Sequence, residues 1–444
     1  MTGPATDHLA HRPDPTARPA SAAGGGTPES AIEADTRARR AAEAPDRLVF
    51  FFSGFDPKGA GFYHRMFRDG IGLRNATHGD SLTLGPRHRI GRWASSWTVA
   101  WRSPSGPSGM TRAARTRVHF MRWDDLIREH WKRPVLQLLQ DYWNVYAKGI
   151  STGVFSRIRS KSRAAFWLAL FPLGVAAGTL AAGLLLGTVV PLSAGWLHPL
   201  PATLLGLALG VAAWRLIARW IDCEWLLRLY AFTRLQALGA LPALEGRQSD
   251  MAARLVELVD ARIHQPGAAP LKEVLVVGYS TGSALAATVV ARALPRLRTL
   301  LDGRGGAEGT TLAMLTLGHC IPVAADWGGA DQVRSELEEL SRCDWLVWHD
   351  YSAPADWAAF SATPPWPRPA RLKGHQASPR FHAQMSAFDY AALRRDRREM
   401  HLQYLRAPSQ PVDAEGYDFF ALTTGPTTLA QRHEALHVHE ESRP

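Results

Sequence analysis

The chain has 444 residues, 46% of them hydrophobic, so one sizeable domain with additions is expected rather than several small ones. Its three cysteines, Cys223, Cys320 and Cys343, show no Cys-x-x-Cys spacing, which excludes a disulfide scaffold and a zinc set and reads as buried thiols in a reducing compartment. A net charge of +11 calls for an anionic partner, either nucleic acid or a lipid surface, and the distribution of the charge decides between them.

Residues 1–46 are rich in Ala, Pro, Gly, Thr and charge, with no apolar run long enough for a signal peptide, and read as a disordered leader. Leu48 to Ser53 is a strand that runs into the turn-rich loop Gly54 to Gly59 and then a helix around Phe62 to Asp69. Further strands are expected at Ser81 to Leu84, Ser96 to Trp101 and Arg117 to Met121, with a helical region opening at Trp123 to Trp131.

Two apolar segments follow. Ala164 to Leu192 carries no ionisable residue and Leu197 to Ala213 carries only His198. At 1.5 Å per residue they reach about 43 Å and about 25 Å, against roughly 30 Å of hydrocarbon core. Joined by Ser193 to Trp196, they are expected to form a tight transmembrane hairpin spanning residues 157–222 with its flanks. Arg157, Arg159, Lys161 and Arg163 precede it and Arg215 and Arg219 follow it, while the connection has no Lys or Arg, so both outer ends are expected to face the cytoplasm. Gly174, Gly178, Gly183 and Gly187 would let the helices pack closely, and Trp196, Trp214, Trp220 and Trp225 fit an interfacial belt. Basic charge beside anionic headgroups then accounts for much of the excess, and no nucleic-acid platform is seen.

Beyond the hairpin, Val274 to Gly282 carries the strongest chemical signal. A β-branched run breaks into Gly278-Tyr-Ser280-Thr-Gly282 and then into an Ala-rich helix, Ser283 to Leu294. This is the pattern of a nucleophile elbow: a serine raised on a strand-to-helix turn, with glycines where a Cβ would collide with the crossing backbone. The backbone amide of Thr281 would then supply one oxyanion donor, and the loop after the first strand the second, with Phe55 as the candidate and Gly54 its neighbour.

Thr311 to Leu317 and Trp345 to Trp348 read as strands, Gln332 to Ser341 as an amphipathic helix, Tyr390 to Glu399 as a charged helical stretch, and residues 433–444 as a disordered polar tail. Sheet-forming sequence thus lies on both sides of the hairpin, in residues 47–156 and 223–432, which makes the hairpin an insertion into one α/β domain with a mainly parallel sheet.

The order of these elements, with Phe52-Ser-Gly-Phe-Asp-Pro-Lys-Gly59, the elbow, Asp350 to Asp356 and Met400-His-Leu-Gln-Tyr404, resembles the α/β-hydrolase fold, and more narrowly the lipase-like bacterial hydrolases with a membrane-spanning insertion. The resemblance covers roughly residues 48–432; the elbow is its specific catalytic signature. In that fold the chain order is Ser, acid, His. Asp356 is favoured as the acid because it lies several positions past a strand edge, with family-like spacing to Trp357 and Phe360, and Asp350 is the alternative. His401, within His-Leu-Gln-Tyr, is favoured as the base, with His382 and His375 as competitors. Arg394, Arg395, Arg397 and Arg398 near His401 form either a solvated helix face or a contact with anionic lipid or substrate.

The expectation is a serine hydrolase in a bacterial inner membrane, with its domain and both termini cytoplasmic. Ser280, His401 and Asp356 would cleave an ester through an acyl-enzyme. The acyl-lipid character of that ester is implied by the resemblance, and an acyltransferase would use the same residues. No cofactor and no metal are expected. The alternative is a catalytically silent scaffold of the same fold, anchored by the hairpin.

Overall fold

A computed structural model describes residues 44–103, 112–131, 134–193, 195, 198–221, 223–301, 309–413 and 416–441. The expected leader lies outside them except for its last residues, as do Ala194 and Trp196 of the hairpin connection. The domain is α/β. A nine-stranded mixed sheet runs β2 (Ser81–Leu84), β4 (Ala94–Arg102), β5 (Ala113–Met121), β1 (Arg47–Phe52), β6 (Glu273–Tyr279), β7 (Thr311–Leu317), β8 (Leu346–Tyr351) and β9 (Lys373–Ala377), with β3 (His88–Ile90) paired to β4. From β5 to β9 every pairing is parallel, and β2, β3 and β5 all pair antiparallel with β4.

The centre of the sheet explains its own sequence. β1 reads Arg-Leu-Val-Phe-Phe-Phe and is buried along its whole length, as is β6, because helices cover both faces and no alternation with polar residues is needed. Side chains still divide by the two-residue period. Phe50, Phe52, Val274, Val276, Leu312 and Met314 join one apolar cluster, under helices Pro242–Ile263, Gly282–Leu301 and Asp331–Ser341. Val49, Phe51, Leu275, Val277 and Leu315 join the other, under helices Ala60–Thr77 and Phe419–Thr424.

His119 on β5 stacks on Phe50 with ring centroids 5.1 Å apart, and burial pushes its imidazole down to about 3. An unfolded histidine titrates near 6.5, so between those values the unfolded chain takes up a proton that the fold refuses. Stability is therefore complete above pH 6.5 and declines as pH falls, by about 1.4 kcal/mol per unit for this group. Denaturant unfolding at pH 7 and pH 5 should show His119→Phe losing less stability on acidification than the native chain, by about 2 kcal/mol.

Two helical stretches, Arg163–Ser193 and Pro199–Trp220, are long and apolar enough to cross a membrane, and they enter between β5 and β6. Only 12% and 22% of their most apolar windows is buried. What they bury is small: a Cβ on Gly187 would stand 2.2 Å from Cα of Gly206, and one on Gly183 would stand 2.3 Å from Gly210. The backbones touch there, as small residues allow, and leucines face outward. Gly174 and Gly178 are corrected: both are exposed with nothing near, and the partners of Gly183 and Gly187 lie on the second helix. Of the flanking cations, Arg157 donates to the carbonyls of Asp326 and Thr152, Lys161 is bound to the Asp326 carboxylate and Arg215 to Glu224, while Arg159, Arg163 and Arg219 are exposed. Trp220 is exposed at the end of the second helix, whereas Trp214 is packed at the hairpin base.

Two further expectations are corrected. The tail from His433 is part of a helix, Leu429–Glu441, whose start is held by the Glu273 carboxylate on the Leu429 amide at 2.6 Å. His433 is buried, with Nδ1 3.2 Å from Nε2 of His349. The charged stretch Tyr390 to Glu399 is two short helices, Ala387–Leu393 and Arg397–Leu402, because Asp396 caps the second by accepting from the amides of Arg398 and Glu399.

Candidate active site

β6 ends at Tyr279, and Ser280 then takes a positive φ of 57°, which residues other than Gly, Asn and Asp rarely adopt. The strain is held from both sides: the Ser280 amide donates to the carbonyl of Leu317 at 2.9 Å, and its carbonyl accepts from the Cys320 amide at 3.3 Å. The next helix begins at Gly282. Both flanking glycines are required by contact. A Cβ on Gly278 would lie 2.6 Å from Cα of Ser283, and one on Gly282 would lie 2.3 Å from the carbonyl oxygen of Ser53. Since the obstacle at Gly282 is backbone of β1 and its loop, Gly282→Ala should cost about 3 kcal/mol of stability in denaturant unfolding, while an alanine at the open Gly246 should not.

The loop after β1 backs directly onto the serine. A Cβ on Gly54 would stand 2.8 Å from Cβ and 3.2 Å from Oγ of Ser280. Phe55 is anchored by its ring, between Trp131 at 5.7 Å and Phe232 at 5.3 Å, and the Ser53 carbonyl accepts from Nε1 of Trp123 at 3.1 Å. Among the described residues the backbone amides of Phe55 and Thr281 donate no hydrogen bond within the chain. An oxyanion requires two such N–H donors.

His401 and Asp356, 45 residues apart, meet: Nδ1 of His401 donates to Oδ2 of Asp356 at 2.7 Å. The other carboxylate oxygen accepts from the amide of Ala358 at 3.0 Å, and the Asp356 side chain is almost fully buried. With Nδ1 committed as donor, Nε2 is the nitrogen left to accept a proton. Two tyrosines tie this pair to the elbow. Tyr279, the residue before Ser280, donates its hydroxyl to the His401 carbonyl at 2.9 Å and lays its ring 5.1 Å from the imidazole. Tyr404 accepts from the amide of Ala353, in the Asp356 loop, at 2.8 Å, and its ring lies against Gly318, at φ +53°, where a Cβ would come within 2.5 Å. Burial pushes both phenols well above their ordinary range, so they stay neutral.

The remaining candidates lie elsewhere. Asp350 is consumed inside the sheet, accepting from Thr316 Oγ1 at 2.7 Å and Gln376 Nε2 at 3.1 Å, and its neighbouring imidazole is His319 at 3.9 Å. Burial pushes its carboxyl up. His382 is exposed against Tyr390, and His375 lies beside His349 on β9. Arg397 rests on Trp357, the residue after Asp356, 3.8 Å from its ring centre, while Arg394, Arg395 and Arg398 are exposed.

One link differs from the expectation. Ser280 is 6% exposed, and its Oγ contacts Sγ of Cys320 at 3.7 Å rather than an imidazole nitrogen. Burial pushes that thiol up to about 12, so it stays protonated beside the serine. The sequence assigns no site role to Cys320, Tyr279 or Tyr404; position was the available signal, since Cys320 follows the strand next to the elbow strand and Tyr279 adjoins the serine. No group of three or more His, Cys, Asp or Glu suited to a metal occurs among the described residues. Compared with protein-family models, curated proteins and solved structures, the chain matches none, so the reading of this site rests on its own geometry.

Proposed function

We propose that the chain is a membrane-anchored serine hydrolase that cleaves an ester through an acyl-enzyme, built on an α/β-hydrolase-like domain. The observation that carries this is the strained serine at φ 57° with the His401–Asp356 pair tied to it through Tyr279. Two backbone hydrogen bonds and two contact-restricted glycines hold the serine in that sparsely populated conformation, and such strained residues cluster at active sites, which supports the reading. In the reaction Ser280 Oγ attacks the ester carbonyl as its proton passes to Nε2 of His401, and Asp356 stabilises the imidazolium. The amides of Phe55 and Thr281 receive the oxyanion, and the alkoxide leaves with the proton from His401. Water then enters by the same route and releases the acid; an alcohol in its place makes the enzyme an acyltransferase. Ser280 Oγ meets Cys320 here, and catalytic hydrogen bonds such as Ser280–His401 commonly tighten only when substrate binds.

The hairpin would hold the domain at a bilayer, with the exposed Arg159, Arg163 and Arg219 on the cytoplasmic side, and it favours an acyl-lipid ester as substrate. A second reading, an inactive scaffold of the same fold, draws on the near-complete burial of Ser280 and its contact with Cys320. A fluorophosphonate probe separates the two. Incubated with folded protein in detergent and mapped by mass spectrometry, the adduct is expected on Ser280; folded protein that stays unlabelled supports the scaffold.

A further inference from the structure

Ahead of the hairpin, residues Val135–Ser151 form a continuous helical stretch with a π-helical turn at Trp143–Ala147. Its two faces differ in kind. Leu138, Val145 and Tyr146 are buried in the apolar cluster at the hairpin base. Tyr146 and Tyr142 donate their hydroxyls to the carbonyls of Ala169 and Pro172 in the first apolar helix, at 3.0 Å and 3.2 Å, and the Tyr142 ring meets Trp214 of the second edge-on at 5.7 Å. On the other face Leu136, Leu139, Trp143 and Ile150 are 69%, 52%, 67% and 67% exposed. Intervals of three, four and seven residues place them in one stripe, and apart from the hairpin itself few large apolar side chains of this domain are as open.

We propose that Val135–Ser151 lies in the plane of the membrane interface, with this stripe among the acyl chains, as a third bilayer contact of the chain. The proposal rests on reading Arg163–Ser193 and Pro199–Trp220 as spans. The bilayer is the occupant because the helix that carries the stripe is hydrogen-bonded to the first span through Tyr142 and Tyr146 and lies at the right level. Trp214, which Tyr142 touches, precedes the end of its helix at Trp220 by about 9 Å of rise. In-plane amphipathic helices sit about 5–10 Å into the headgroup and acyl boundary. The same placement reaches the serine. One apolar cluster runs from Ala169 and Trp214 through Tyr146, Leu227 and Tyr230 to Val323 and Cys320, and Cys320 touches Ser280. An interface-seated segment would thus hold the elbow against the face from which an ester with an embedded acyl chain arrives.

The native cysteines are buried, so a nitroxide can be placed on Leu139→Cys, Trp143→Cys, Leu204→Cys or Phe388→Cys of the full chain in phosphatidylethanolamine–phosphatidylglycerol nanodiscs. Power saturation with oxygen and with a water-soluble nickel chelate is then compared. The labels at 139 and 143 are expected to favour oxygen severalfold, as the hairpin label at 204 does, while the label at 388 favours the chelate. If 204 is shielded and 139 and 143 are as chelate-accessible as 388, this proposal falls and the spans stand; if 204 is chelate-accessible too, both fall. Strong dipolar broadening between labels at 139 would assign the stripe to a second copy of the chain and overturn the bilayer as its occupant.

Discussion

Ester turnover by Ser280→Ala should fall by about 10⁶-fold in kcat, to the level that binding and the oxyanion donors sustain alone. The substitution is unusually clean. Alanine keeps the Cβ that lies against Gly54 and meets the same φ of 57°, so the turn pays no new conformational cost. The hydroxyl that alanine removes faces Sγ of Cys320 at 3.7 Å, and a thiol is a weak partner. Unfolding midpoints should therefore match the native chain while steady-state hydrolysis disappears. Activity that survives at more than a hundredth of the native rate would mean that the nucleophile lies elsewhere.

Asp356→Asn should lower kcat by about 10⁴-fold with little change in KM. An amide in that place keeps the volume, but it turns its NH₂ to Nδ1 of His401 at a position where a carboxylate now accepts at 2.7 Å. The imidazole then settles in the tautomer that cannot take the serine proton, and the imidazolium loses its counter-charge. Asp350→Asn is the informative contrast. Its carboxyl bonds Thr316 and Gln376 within the sheet, so the variant should lose stability and keep its kcat once folded. Equal kcat losses from the two variants in folded protein would remove Asp356 from the mechanism.

Local pattern made the central strands and the elbow legible. An unbroken apolar run such as Leu-Val-Phe-Phe-Phe in β1 announces a strand covered on both faces, and Gly278 and Gly282 around a serine announce a turn that only small residues permit. The edge strand β2 was legible as Ser81 to Leu84, but the opposite edge and the C-terminal helix were silent. β9 reads Lys-Gly-His-Gln-Ala and has no apolar alternation, because its place is decided by parallel pairing with β8. The helix Leu429–Glu441 has a nearly even distribution of polarity and is secured from 156 residues away by the Glu273 carboxylate. The candidate triad was legible as a chain order and as residue types; the participation of Cys320 was not, since a cysteine beside a strand looks like any buried thiol.

By itself, then, the sequence determined that a serine would sit on a constrained turn in a parallel sheet interrupted by two long apolar helices. Those features follow from period, run length and the absence of a Cβ, all of which act within a few residues. Only the tertiary structure decided which aspartate meets His401, which of two glycine pairs in the first apolar helix touches the second, and that Ser280 rests on Cys320 instead of an imidazole. These are contacts between segments tens of residues apart, made as the chain closes its core, and nothing in the local chemistry of either partner names the other.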